Sequence, residues 1–533
     1  MINEQALKEA IILTQQGKYD EAEEIYKKLI INEPDNYIIL SMFGLFYINI
    51  NDYKNAYNYL HRAYNIKKTF GTVSALGFCE FEQKKYDEAS KFLEESLELG
   101  QNEDVYNKLV LSLFQIKEYK KAILYADKMY ELYPNSSLAI ANQVKSLTQQ
   151  GKLLEAQTLC VNELKRKPDS AALWFHLGYL KELIFCDDIQ AKECYKAAAD
   201  LGNPEAYYNI AVSCQKLGEY QEAENYYNKM LEHFPKDKDT ITSLGMCYLT
   251  QKRFKEGYDL FFQRDKSKLS KYSKNTWQIG DDFENEIVVI CDQGFGDHIQ
   301  FVRYLPFLNS RQIILAAPNN LRKLFESNYT NVKIIDYEEI PSNIQSIRIS
   351  DLAYALNMDF DNIPFSSGYL KVPPLVIENK KIKVGLCWEA GNAGIRTMIN
   401  RTINIKCFES ILNLENIQIY SFQVCDTLKG NEKYTQMINL AKDFRDFYDT
   451  AQALLAMDVL ITVDTSVAHL AGALGVKTYL LLPYASDWRW FDETKSTPWY
   501  DSIEIFKQKD KISWENEINQ IIQNINNFSQ QNI

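Results

Sequence analysis

The chain has 533 residues, a length for about three or four folding units, and carries a formal charge of −12 from 59 Lys plus Arg against 71 Asp plus Glu. Its 46% apolar and 24% charged residues match ordinary globular usage, which argues against disorder and collagen-like structure. The acidic balance argues against general nucleic-acid binding, because a phosphate backbone requires a basic surface. Ten cysteines are scattered without a CxxC pair and without clustered histidines. That spacing points to buried thiols in a reducing compartment, not to a structural zinc site or a secreted disulfide frame. The opening MINEQALKEA has no apolar stretch of signal-peptide length, and no run approaches the ~18 apolar residues that cross a bilayer. A soluble, cytoplasmic protein with no membrane span is expected.

One phrase recurs through the first half: GKYDEAEEIYKKL from Gly17, NDYKNAYNYLHRA from Asn51, KKYDEASKFLEES from Lys84, KEYKKAILYADKM from Lys117, GKLLEAQTLCVNE from Gly151 and GEYQEAENYYNKM from Gly218. Its small residue falls at Ala22, Ala56, Ala89, Ala122, Ala156, Ala191 and Ala223, at intervals of 34, 33, 33, 34, 35 and 32. A period near 34 indicates a stacked two-helix unit. An aromatic (Tyr19, Tyr53, Tyr86, Tyr119, Tyr220) opens each second helix, and the alanine lets the paired helices approach. Pro34, Pro134, Pro168 and Pro235 end second helices. Gly44, Gly77, Gly178 and Gly245 lie inside first helices, where glycine costs about 1 kcal/mol; close packing is the reason to keep it. The pattern resembles the tetratricopeptide repeat over residues 3–263, in about eight units, with Gly257 replacing the alanine of the last. Such an array implies a concave surface that holds a polypeptide, or else a passive spacer or oligomerisation arm.

After Asp265 the period changes. The polar KSKLSKYSKN (266–275) reads as a linker. Short β-rich runs then alternate with helical stretches: 286–291, 312–317, 332–335, 346–349, 382–388, 417–423, 459–463, 477–482 and 503–506. Near-continuous apolar strands separated by helices imply parallel sheets covered on both faces. KVPPLVIENKK (371–381) is a natural joint, so the expected domains are 1–265, 266–380 and 381–533. Two doubly wound halves would face a cleft at the carboxyl ends of their strands, where ligands bind.

Three loops are candidates to carry chemistry. In CDQGFGDHIQFVRYL, Gly294 and Gly296 allow close backbone approach and a helix begins beside Asp297. Asp297 either caps that helix or projects as a general base. In GLCWEAGNAGIRTMINRTINI, Arg396 and Arg401 are either phosphate-binding cations or ordinary surface arginines. In VLITVDTSVAHLAGALG, Thr465 and Ser466 lie at a helix start suited to a diphosphate. There Asp464 orients the turn, and His469 reaches a phosphate, supports the loop or makes a buried polar contact. The tryptophans of SDWRWFDETKSTPWY read as packing against the cleft wall, with nucleobase stacking as the alternative. GxGxxG is absent, so no nicotinamide cofactor is indicated.

QGFGDHIQFVRYLP, VDTSVAHLAGALG, LLPYASDWRWF and STPWYDSIEIFKQ together resemble the catalytic region of bacterial tetratricopeptide-repeat glycosyltransferases. These are similar to heptosyltransferases and, distantly, to O-GlcNAc transferases. The resemblance implies an α solenoid followed by an α/β GT-B fold of two Rossmann-like halves. It also implies an inverting, metal-independent transfer from a nucleotide-sugar donor, needing no cofactor, to a protein acceptor on the repeats, such as a flagellin or another surface protein. Asp297 takes the position of the base. Asp464, Thr465, Ser466 and His469 match the diphosphate-binding helix start, Arg401 and Arg396 the basic loop, and Gln423 a nucleotide contact. The rival readings are an interaction scaffold with an inactive transferase-like half, and transfer to a glycan or lipid precursor.

Overall fold

The computed structural model describes residues 4–531 except 186, 265–271, 273–274, 284, 392–400, 425–433, 435, 492–494 and 510–512, and leaves the side chains of 529–531 undescribed. The chain forms two compact units, Met1–Ala206 and Tyr207–Ile533.

The first unit is built from antiparallel helix pairs, and the last two pairs of the array belong to the second unit. Second helices begin at Tyr19, Tyr53, Tyr86, Tyr119, Leu153, Tyr220 and Phe254, where the phrase places its aromatic or, once, a leucine. The seven spacing alanines are all fully buried. The helices Tyr19–Asn32, Tyr119–Leu132, Leu153–Arg166 and Tyr220–His233 each stop just before their proline. A Cβ on Gly44 would sit 2.5 Å from Leu60 Cγ, and one on Gly178 2.8 Å from Tyr195 Cε1, so helix contact accounts for these glycines.

The departure at Gly257 has the same cause. Its Cβ would meet Leu249 Cγ at 2.7 Å and the Gly245 carbonyl oxygen at 3.0 Å, so the last pair, Lys238–Thr250 and Phe254–Phe261, packs closely enough to exclude even alanine. The first residue of each phrase also has a structural reason. Gly17, Asn51, Lys84, Lys117, Gly151, Gly218 and Lys252 turn the chain between paired helices with φ of 60° to 77°, the left-handed region.

In the second unit two sheets follow these helices. The first contains β1 (Glu286–Ile290), β2 (Gln312–Ala316), β3 (Val332–Ile335) and β4 (Gln345–Arg348), all parallel, in the order β3-β2-β1-β4. The second contains β5 (Ile382–Cys387), β6 (Ile417–Ser421), β7 (Ile438–Asn439), β8 (Val459–Val463), β9 (Thr478–Leu482), β10 (Ser496–Thr497) and β11 (Tyr500–Lys507), in the order β10-β11-β9-β8-β5-β6-β7. Only β10 is antiparallel to its neighbour. Strand order reverses beside β1 in the first sheet and between β5 and β8 in the second. The loops leaving β1, β5 and β8 therefore emerge at switch points, where a parallel sheet opens a crevice. These are the three loops singled out in the sequence.

The last repeat helix is joined to the first sheet by buried charge. Arg264 donates from Nη2 to Asp292 Oδ2 at 2.9 Å and from Nη1 to Asp351, while Arg348 Nε donates to Asp351 Oδ2 at 2.6 Å. Phe254, Tyr258 and Phe261 share one core with Trp488, Phe491 and Trp499. The three tryptophans are buried, as packing requires. Among the described residues, no helix is long and apolar enough to cross a membrane.

Candidate functional site

The loop leaving β1 turns directly into the helix Phe295–Phe301, with Gly294 as its N-cap residue. Asp297 lies in its first turn, and its Oδ2 accepts from the Gly294 N–H at 3.1 Å. It therefore does cap the helix. Its other oxygen, Oδ1, accepts from Arg489 Nη2, with both side chains mostly buried at 17% and 13% exposure.

The loop leaving β8 passes through Asp464 into the helix Ser466–Leu474. Thr465 is its N-cap residue, in extended conformation, and makes no side-chain cap; its hydroxyl lies 3.3 Å from Thr462 Oγ1. Thr465 and Ser466 are both partly exposed. The two helix starts come together at Gly296, where a Cβ would lie 2.8 Å from His469 Cδ2 and 3.5 Å from Ser466 Cα. Only glycine permits that approach without displacing the histidine.

Between these helix starts runs a chain of alternating charge. Arg489 Nη1 donates to Asp487 Oδ1 at 2.7 Å, Arg401 Nη2 donates to Asp487 Oδ2 at 3.0 Å, and Arg401 Nε lies 3.1 Å from Asp464 Oδ2. Burial would raise the Asp487 carboxyl, but Arg489 and Arg401 outweigh it and hold the group at about 2. Burial wins at Asp464, with Asp487 adding to it against the pull of Arg401, so this carboxyl is raised above its usual range. Three carboxylates thus face two guanidinium groups, and both described cations are already matched by protein acids.

His469 supplies a buried polar contact. Its Nδ1 lies 3.1 Å from the Tyr500 hydroxyl, and its ring stacks on Trp490 with centroids 4.9 Å apart. Burial first, then Arg489, lowers it to about 3, so the imidazole is neutral at pH 7. Gln423 is buried, and its amide serves the loop leaving β5: Oε1 accepts from the N–H groups of Trp388 at 3.1 Å and Glu389 at 2.9 Å, and Nε2 donates to the Glu389 carbonyl at 3.1 Å. These bonds fix the placement of that backbone. Arg396 lies outside the described residues.

Asp297, Gly294, Gly296, Arg401, Asp464, Thr465, Ser466 and His469 therefore belong to one locality, and Gln423 stands behind it. Sequence reading missed Asp487 and Arg489, the middle of the charge chain. Their signal was present in SDWRWF, an acid and a base separated by one residue among aromatics.

Both family models that match lie within the repeats. Residues 204–237 match the family model described as tetratricopeptide repeat, and residues 15–96 match the anaphase-promoting complex, cyclosome, subunit 3. Protein FlbA of Caulobacter vibrioides is 21% identical over 422 residues, covering 69% of each chain. A TPR repeat-containing protein of Methanocaldococcus jannaschii is 24% identical over 272 residues, covering 46% of this chain and 41% of that protein. Among solved structures, a tetratricopeptide repeat protein from Parabacteroides merdae aligns at TM-score 0.41 and 16% identity, over 45% of this chain and 96% of that one. YrrB, described as a TPR protein with an unusual peptide-binding site, aligns at TM-score 0.29 and 21% identity, over 33% and 92%. The chain carries an amino-terminal solenoid of tetratricopeptide repeats, followed by a region of parallel sheets.

Proposed function

We propose that the second unit is a glycosyltransferase of GT-B type that moves a sugar from a nucleotide-sugar donor to a protein acceptor held by the repeats. The observation that carries the reading is the meeting of two helix starts, each fed by a switch-point strand, with Asp297 on one side and Thr465-Ser466 on the other. Helix starts favour anions through free N–H groups and the macrodipole. Fixed guanidinium groups nearby supply positive charge where a diphosphate leaves.

The reaction is an inverting displacement. Asp297 accepts the proton of an acceptor hydroxyl or amide, the freed heteroatom bonds to the anomeric carbon, and the bond from that carbon to the diphosphate oxygen breaks. The electron pair leaves on the diphosphate, beside Arg401 and the Ser466 helix start. Arg489 has to exchange Asp297 for the incoming phosphate, so the pair in the free protein is a resting arrangement. The protein charges provide the stabilisation, and the chemistry calls for no metal or cofactor.

The same ion pair favours a second reading, a scaffold whose transferase-like half is inactive, because every described cation of the site already has an acid. Thermal-shift measurements with UDP-, GDP-, ADP- and CMP-linked sugars separate the two. A donor raises the melting temperature if the first reading holds, and none does so at millimolar concentration if the second holds.

A further inference from the structure

The buried charge that joins the last repeat helix to the first sheet also holds the loop on which Asp297 stands. Arg264 follows the helix Phe254–Phe261 and is 6% exposed. Its Nη2 donates to Asp292 Oδ2 at 2.9 Å and to Ser350 Oγ, and its Nη1 donates to Asp351 and, at 2.9 Å, to the Phe261 carbonyl. Asp292 Oδ1 accepts from Ser350 Oγ at 2.7 Å. Burial would raise the Asp292 carboxyl, but Arg264 and Ser350 outweigh it and hold the group below its ordinary range. Asp292 is therefore a charged, fully engaged residue at the point where the chain leaves β1.

The loop beyond Asp292 is closed by its own bonds. The Gln293 N–H donates to His298 Nε2 at 3.2 Å and the Gly294 N–H to Asp297 Oδ2 at 3.1 Å. A displacement of Asp292 is thus carried into the first turn of the helix, where Asp297 lies. The same repeat helix also reaches the other partner of the Asp297–Arg489 pair. The Arg264 guanidinium lies 4.2 Å from the Phe261 ring centroid, and Phe261 and Tyr258 meet the ring of Trp488, the residue before Arg489, edge-on at 6.3 and 6.4 Å.

Apolar side chains would join helix and sheet with less desolvation than the four buried charges of Arg264, Arg348, Asp292 and Asp351. What directional, charge-assisted hydrogen bonds add is a single fixed register. We propose that Arg264 is a positioning residue, through which the end of the repeat array sets, by way of Asp292, where Asp297 stands. Arg264 touches no reacting atom; it acts only through the loop it holds. The catalytic consequence rests on the transferase reading, whereas the placement of the loop does not.

The test uses the full chain and has two readouts. In hydrogen–deuterium exchange without added ligand, Arg264→Met speeds exchange across residues 292–298 about tenfold or more and leaves β8 at the parental rate. Arg322→Met, which breaks the Arg322–Asp336 pair at the far edge of the same sheet, changes neither. In transfer assays with whichever of the UDP-, GDP-, ADP- and CMP-linked sugars the chain uses, Arg264→Met lowers kcat about tenfold or more and keeps the donor KM within about twofold. It adds less than about twofold to the loss already caused by Asp297→Asn. Asp292→Asn, which keeps the size of the side chain, gives the same pattern and serves if Arg264→Met does not fold. A parent chain that transfers no sugar defeats the transferase reading alone, and the exchange rates still decide this inference. Equal exchange across 292–298 in the Arg264→Met and Arg322→Met variants, or a full multiplicative loss in the Asp297→Asn background, overturns the proposal.

Discussion

Arg489 and Asp297 stand 192 positions apart in the chain and meet as an ion pair between the helix that follows β1 and the turn that follows β9. Asp487 holds Arg489 from the other side at 2.7 Å. Removing the guanidinium leaves the largely buried Asp297 carboxylate without its cation and Asp487 with Arg401 alone. Arg489→Met is expected to destabilise the second unit by about 3 kcal/mol, while Arg489→Lys retains part of the pairing but loses the fork that spans both acids. Chemical denaturation monitored by tryptophan fluorescence measures this, because Trp488, Trp490 and Trp499 surround the pair. An unchanged midpoint for Arg489→Met contradicts it.

Gly296 is the contact point of the two helix starts. Gly296→Ala places a methyl 2.8 Å from His469 Cδ2, and the histidine is anchored by Tyr500 and Trp490. The expected cost is about 1–3 kcal/mol of stability, with loss of the donor-induced thermal shift. A variant with unaltered stability and unaltered donor response contradicts the close approach.

His469 makes stability depend on pH with a definite sign. Its folded-state value is about 3 against 6.5 for an unfolded histidine, so between those values the unfolded chain holds the extra proton. Stability is complete above about pH 6.5 and falls as pH drops through the window, by up to about 1.4 kcal/mol per pH unit from this group. Asp487, at about 2 against an ordinary 3.8, adds loss only below about pH 4. His469→Gln is expected to flatten the slope between pH 6 and 4.5. Identical slopes for the variant and the parent remove His469 as the cause.

Lys84 and Lys117 adopt φ of 60° and 63° at turns where Gly17 and Gly151 stand in other repeats. Replacing either with glycine is expected to stabilise the first unit by about 1 kcal/mol, the cost of a left-handed non-glycine residue. Thermal melts followed by circular dichroism decide it, and a lowered midpoint runs against the strain account.

Most of the architecture follows from local pattern. The aromatic, alanine and proline positions each act within one helix pair, so repetition exposes them: Tyr86 opens a helix, Ala89 is buried within it, and Pro134 ends one. The strands are equally plain, since VLITV (459–463) is apolar throughout and coincides with β8. The site was only partly visible, because its charges act across the fold. Asp297 looked like either a cap or a base, and its side chain does cap; the arginine that occupies its other oxygen comes from a stretch that reads as packing. Gln423 lies two residues past the end of β6, where a ligand contact would fall, and its amide bonds the backbone of Trp388 and Glu389. No spacing rule reveals which way a side chain turns once two distant loops meet.

The most direct test of the account is sugar transfer by the Asp297→Asn variant, assayed with the donor identified by thermal shift and with a candidate acceptor protein analysed by mass spectrometry. The account predicts that the parent chain adds a glycosyl mass to the acceptor, while the variant still binds donor and transfers at most about one hundredth as fast, the loss expected when a general base is removed. Transfer at the parental rate by Asp297→Asn would contradict it.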